Sequence, residues 1–221
     1  MYNLSNPSIN KFKHHIIKGA DLLGIKVSTD QADLMLLHAK ELIAWNKKIN
    51  LTAIKDPFKI AEKHFIDSIT ASGLLRNKNH LMDMGAGGGF PGIPIKIINP
   101  SLHILLIDAS RKKVNFLKHV IRTLQLKNID AVHSRVEDLH ENKRYKGKFD
   151  GVISRAFTEL SGFLSLATPF LNKTGSIYAM KGKKAETEIT SDILKSFKLD
   201  THHYQLPYEK SDRCLIKLSA K

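Results

Sequence analysis

The chain has 221 residues and a mass of 24.9 kDa, room for one domain or one domain with a small extension. Hydrophobic residues make up 42% and charged residues 25%, which excludes a disordered, collagen-like or low-complexity chain. Lys+Arg 35 against Asp+Glu 21 leaves a net charge of +14, a surplus that draws polyanions, nucleic acid foremost.

The first 75 residues read as helices. Asn10 to Leu23 places Phe12, Ile16, Ala20 and Leu23 at helical spacing, and Gly24 stops the run. Thr29 or Asp30 caps a second helix to about Lys48, with Leu34, Leu37, Leu42 and Trp45 as core contacts. Asp56-Pro57 has the form of an N-cap and first helical position, opening a helix with Phe58, Ala61, Phe65 and Ile69 on one face. No apolar run approaches the ~18 residues of a membrane span. Met1 to Asn10 is polar, with no export-signal core, so a cytoplasmic protein without a membrane partner is expected.

Beyond Asn79 the pattern alternates. Strands are expected at His80 to Met84, Leu102 to Ile107, Ile129 to His133, Phe149 to Ser154 and Ser176 to Met180. Helices are expected at Pro94 to Asn99, Arg111 to Leu124 and Glu159 to Leu171, with Glu141 to Lys148 a charged surface loop. Such alternation implies right-handed crossovers and a mostly parallel α/β sheet. Phe197 to Leu206 and Cys214 to Leu218 would close it as an antiparallel pair, giving seven strands. The division expected is a helical extension over residues 1–75 packed on a core domain over 76–221.

The densest signal is Leu81 to Gly92, LMDMGAGGGFPG, a glycine-rich turn between strand and helix. There a backbone without Cβ atoms lets a ligand approach, and the following helix points free N–H groups at it. Counted from Gly85 and Gly87 the dinucleotide pattern G-x-G-x-x-G fails at Phe90, whereas from Gly87 and Gly89 it completes at Gly92. Asp83 before the first glycine tips the balance, because D-x-G-x-G-x-G looks like the first motif of class I S-adenosylmethionine methyltransferases. Asp108, 23 positions beyond Gly85, ends the next strand, where a carboxylate can accept both ribose hydroxyls. NAD enzymes place an acid similarly, so an NAD-dependent oxidoreductase stays open at this point.

Longer segments are more restrictive. Asn50-Leu51-Thr52, His64 with Asp67-Ser68, Asp83 to Pro94, Asp108 to Leu117, Ser134 to Glu137, Phe149 to Phe157 (FDGVISRAF) and Tyr178 to Gly182 follow one another in a family's order. On these the chain resembles the bacterial small-subunit rRNA guanine-N7 methyltransferase family (RsmG, also called GidB). Two departures are an extra glycine at Gly88 and Ala109 where the family often has Ser.

The resemblance implies a class I, Rossmann-like fold and methyl transfer from S-adenosylmethionine to N7 of a specific guanine in 16S rRNA, on the RNA or a small-subunit particle. It implies a cofactor site at Asp83, Gly85, Gly87, Gly89, Phe90, Asp108, Val136, Glu137 and Arg155. Val136 suits packing on adenine, and its neighbouring backbone or Glu137 can take the exocyclic amine. Arg155 can clamp the methionine carboxylate or an RNA phosphate. Another RNA or a protein substrate stays open, as does an RNA-binding module with a vestigial cofactor pocket.

The chemistry asks for no nucleophile and no triad. Guanine N7 carries a free lone pair, so alignment supplies the acceleration. Arg155-Ala156-Phe157 replaces the N-P-P-Y sequence of amine methyltransferases. The one cysteine, Cys214, lies far along the last strand as a small core residue; it leaves no disulfide, no zinc site and no pyrimidine-C5 nucleophile. No metal is expected, and the protein is expected to be a monomer.

His64 and Asp67, three apart on one helical face, either line the substrate side of the pocket or anchor the helices to the sheet. Arg111, Lys112 and Lys113, and Lys181, Lys183 and Lys184, are the clusters expected to contact RNA phosphates. Phe90, Phe157 or Tyr178 would stack on an extruded base.

Overall fold

The computed structural model describes residues 6–155, 159–183 and 185–221. Helix α1 (Asn6–Asp21) buries Phe12, Ile16 and Ala20 on one side, and Gly24 at φ 71° turns the chain away. Helix α2 (Thr29–Asn46) is capped one residue earlier than Thr29. Ser28 Oγ accepts from Gln31 N at 3.2 Å, and Gln31 Oε1 accepts from Ser28 N at 2.9 Å, a reciprocal capping box. Of the expected α2 contacts only Leu42 is fully buried. The buried stripe runs instead through Ala32, Met35, Leu36, His38 and Ala39, with Leu34, Leu37 and Trp45 half-buried beside it.

Asp56 does cap α3 (Pro57–Ile60), accepting from Lys59 N at 2.8 Å. The helix does not continue regularly. It widens into a π-helical segment (Ala61–Ile66), recovers in α4 (Asp67–Ile69) and tightens to a 3-10 turn (Thr70–Leu75). Ala61, Phe65 and Ile69 are buried as expected, but Phe58 is 38% exposed.

The described residues form one seven-stranded sheet: β1 (His80–Met84), β2 (His103–Asp108), β3 (Ile129–His133), β4 (Phe149–Arg155), β5 (Leu171–Gly182), β6 (Phe197–Gln205) and β7 (Asp212–Ala220). The order is β3-β2-β1-β4-β5-β7-β6, parallel through β5, with β7 antiparallel to both β5 and β6. The expected antiparallel pair is therefore present, its second strand inserted beside β5. Helices α5 (Gly92–Ile98), α6 (Arg111–Thr123) and α7 (Leu160–Ala167) make the crossovers; α8 (Ser191–Ser196), which the pattern did not signal, precedes β6. Residues 141–148 form turns, as expected, though Tyr145 dips into the core.

Alternation along β1 divides the core. Leu81 joins a cluster with the N-terminal helices, α5 and α6, while Met82 and Met84 join a second cluster with α7 and Ile193 of α8. The sheet order reverses between β1 and β4, and their carboxyl ends open the crevice where such sheets hold ligands.

Candidate active site

The turn after β1 is fixed by its neighbour. Gly85 N and Ala86 N donate to Ile107 O at 2.8 and 3.0 Å, drawing the turn over the end of β2. Asp108 completes the ring: Oδ2 accepts from Gly87 N at 2.9 Å and Oδ1 from Ser110 N at 2.8 Å. Gly89 sits at φ 90°, and a Cβ there would lie 2.6 Å from Ile93 Cδ1, so only glycine serves. Gly88 has a different reason. Its carbonyl oxygen lies 2.8 Å from His38 Nε2, and a Cβ would lie 2.9 Å from Leu42 Cδ1. The additional glycine is where the turn meets α2.

Asp83 is wholly buried. Its Oδ2 accepts from Gly92 N at 2.8 Å, holding the start of α5, while Oδ1 has no partner. Burial pushes this carboxyl up to about 7, against the pull of the Gly92 bond and Arg155.

Phe90 is 5% exposed. Its ring stacks with two imidazoles, His38 at 4.8 Å and His64 at 4.7 Å, meets Phe65 perpendicularly at 5.1 Å and has the Arg155 guanidinium over it at 5.3 Å. Burial lowers His38 to about 4; burial and then the Arg155 charge lower His64 to about 3, so both rings are neutral at pH 7. Phe90 therefore offers no free face for an extruded base. Nor does Tyr178, wholly buried in β5; Phe157 lies outside the described residues.

Arg155, at the end of β4, reaches the N-terminal helices. Nη1 donates to Lys63 O at 2.7 Å and lies 3.6 Å from Asp67 Oδ2; Nη2 donates to His64 Nδ1 at 3.0 Å. Because Nδ1 accepts, the imidazole proton belongs on Nε2, which donates to Thr52 Oγ1 at 2.7 Å. That hydroxyl oxygen also accepts from Ile54 N at 3.1 Å. Asp67 gains Tyr204 Oη at 2.9 Å and Arg213 Nε at 3.6 Å. Burial pushes Asp67 up, opposed by the two arginines. His64 and Asp67 thus tie the helices to β4, β6 and β7. Sequence reasoning missed Tyr204, Arg213 and the Lys63 carbonyl; for Thr52 the one signal was its place in Asn50-Leu51-Thr52.

The remaining candidates separate. Val136 is buried at the foot of a 3-10 turn (Glu137–Leu139), and Glu137 is exposed. Arg111 and Lys112 are exposed at the start of α6, with Lys113 half-buried. Lys181 pairs with Glu188 at 2.8 Å, and Glu188 also accepts from Leu160 N at 2.7 Å, so this lysine serves an internal tie. The side chain of Lys183 is 83% exposed, 3.6 Å from Asp212, and Lys184 lies outside the described residues. Among the described residues no three His, Cys, Asp or Glu side chains gather as metal ligands, and Cys214 is buried.

A glycine turn open at Gly87, an acid ending β2 and an unpartnered carboxylate oxygen under the turn fit a nucleoside with a cationic amino-acid tail. With the strand order, they define a class I, Rossmann-like methyltransferase. The fold is shared with a putative O-methyltransferase from Klebsiella pneumoniae (TM-score 0.60, 9% identity, 83% of this chain and 90% of that one). It is shared too with a SAM dependent methyltransferase from Aquifex aeolicus (TM-score 0.56, 16% identity, 79% and 100%).

The particular family follows from sequence. The model of the GidB family, rRNA small subunit methyltransferase G, matches residues 31–216, and the chain belongs to that family. Ribosomal RNA small subunit methyltransferase G of Geotalea uraniireducens (strain Rf4) is 40% identical over 209 residues, covering 92% of this chain and 94% of that protein. The protein of the same name from Geobacter sp. (strain M21) is 39% identical over 213 residues, covering 94% and 97%.

Proposed function

We propose that this protein transfers a methyl group from S-adenosylmethionine to N7 of one guanine in 16S rRNA. The observation that carries the reading is the turn held by Asp83 and Asp108, in a chain matched over residues 31–216 by an rRNA methyltransferase family. The +14 charge supports an RNA partner. Among the described residues no helix is long and apolar enough to cross a membrane.

When bound, S-adenosylmethionine supplies the methyl on a cationic sulfonium. Each Asp108 oxygen keeps a lone pair beside its backbone bond, and these would accept the ribose diol. Asp83, whose Oδ1 is unpartnered beneath the turn, would serve the positive amino end of the methionine moiety, in its ionised form. Val136 would pack on adenine, with Glu137 beside it for the exocyclic amine. Arg155 has five N–H donors; it donates to Lys63 O and His64 Nδ1 and faces Asp67 Oδ2 at 3.6 Å, so the remaining donors would serve the methionine carboxylate or an RNA phosphate.

No residue needs to remove a proton, because the guanine N7 lone pair is free. His64 is engaged at both nitrogens and is not a base. Alignment of nucleophile, methyl and sulfur supplies the rate, with about 7–11 kcal/mol available from positioning. Residues 1–75 work with the 76–221 domain as one compact monomer in the cytoplasm, and one continuous core running from Phe12 to Leu215 supports that unit. Arg111, Lys112 and Lys113 contact RNA phosphates at the start of α6, with Lys183 and Lys184 adding to them.

The test incubates the protein with methyl-labelled donor and small-subunit RNA from cells lacking its gene. Label in 16S rRNA is expected; label in protein alone would reject the RNA reading.

A further inference from the structure

A groove of about 610 Å³ runs beside the β6 edge, between the α1–α2 loop, the Thr70–Leu75 turn and the far end of α5. Asn99 there is seven residues beyond Gly92, about 10 Å down the helix from the cofactor turn. Three of its lining groups are unsatisfied, His202 Nε2 among them. Ser72 is 5% exposed and its Oγ has no partner; the Asn99 Nδ2 is buried and also has none. A buried donor without an acceptor is destabilising, and a bound acceptor relieves it.

The charges at the mouth point the same way. Arg76 and Lys26 line the groove, and among the described residues neither has an ion pair. No Asp or Glu lines it. Two acids stand behind its wall, on lining residues: Asp200 Oδ2 lies 3.2 Å from His202 Nε2, and Asp67 takes the Tyr204 hydroxyl. A lining with two cations unpaired among the described residues, orphan groups on Ser72, Asn99 and His202, and no carboxylate of its own selects an anion with several acceptor oxygens.

We propose that this groove is a phosphate-binding site, seated on Ser72 and Asn99 and neutralised by Arg76 and Lys26. The phosphate is either a backbone phosphodiester of the RNA or the phosphate of a free nucleotide, and the groove has nucleotide dimensions. The RNA source rests on the function proposed above; the phosphate chemistry does not.

The experiment compares the protein with a Lys26→Glu, Arg76→Glu double variant, both positions being exposed. Calorimetry uses inorganic phosphate and adenosine monophosphate as probes; filter binding follows 16S rRNA between about 50 and 200 mM salt. If the source is RNA, the variant binds rRNA at least tenfold more weakly and its log–log salt slope shrinks by about 1–2. If it is a free nucleotide, the parent binds adenosine monophosphate, the variant does not, and rRNA affinity is unchanged. Ser72→Ala should reproduce either loss in part.

A Lys143→Glu, Lys148→Glu control carries the same charge change on the exposed 141–148 loop. An equal loss in the control, or no change for any probe in the groove variant, would overturn the site. Binding of S-adenosylmethionine should be equal in all these proteins. Its absence from the parent would instead reject the methyltransferase reading.

Discussion

His64 Nδ1 accepts a hydrogen bond from Arg155 Nη2 at 3.0 Å, joining the π-helical segment to the end of β4. The pair makes the helical extension part of the active-site wall. It also fixes the imidazole tautomer and turns one edge of the guanidinium toward the protein.

Arg155→Ala should therefore damage both function and fold. It removes a partner from buried Asp67, leaving Tyr204 and the more distant Arg213. We expect about 2–4 kcal/mol of lost stability by urea unfolding, below the usual cost of breaking a buried pair because two partners remain. Arg155→Lys should recover part of the stability and little of the activity, because an ammonium lacks the fork. Full turnover in Arg155→Ala would remove this residue from the site.

His38 gives a pH prediction. Its folded pKa of about 4 lies below the unfolded 6.5, so the unfolded chain binds the extra proton between those values. Stability from neutral His38 is complete above pH 6.5 and lost as pH falls toward 4. The stability gap between the protein and His38→Gln should shrink by about 3 kcal/mol over that window, read from urea midpoints. A gap independent of pH would contradict the buried neutral imidazole.

Asp83 has the opposite sign. Its folded pKa, raised from 3.8 to about 7, means the folded protein holds the extra proton between those values. Stability is then lost as pH rises through 7. Asp83→Asn should gain on the parent from pH 4 to 8, by up to about 4 kcal/mol, while losing cofactor affinity. Equal pH profiles for the two proteins would place an ordinary carboxylate there, charged across that window.

The turn makes a steric prediction. Gly92→Ala would bring a Cβ within 2.7 Å of Asp83 Oδ2, and Gly89→Ala would add φ strain to a clash with Ile93. Both should abolish cofactor binding by calorimetry. Gly73→Ala meets nothing within 4 Å and should leave binding unchanged.

The strands and the glycine turn were legible because each is local: β1 and β3 match the expected bounds residue for residue. The extension was legible only in outline. Phe58, Ala61, Phe65 and Ile69 fit one helical face, yet the π-helical segment breaks the 3.6-residue period and Phe58 turns outward onto His15, 5.3 Å away. The stack of His38, Phe90 and His64 joins three elements, and no spacing within one element encodes it. Glu62 is similar: its Oε1 accepts from Tyr208 N and Glu209 N at 2.7 and 2.8 Å, a buried acid paid for by the distant β6–β7 turn. For Lys181 the sequence shows the charge but not the partner, Glu188.

The most direct measurement maps the methylated atom. 16S rRNA from cells lacking the gene is incubated with the protein and S-adenosylmethionine, then treated with borohydride and aniline, which cleave the strand at 7-methylguanosine. The account predicts one new band, at a single guanine, that Asp108→Ala fails to produce. Methyl incorporation with no cleavage band would contradict transfer to N7.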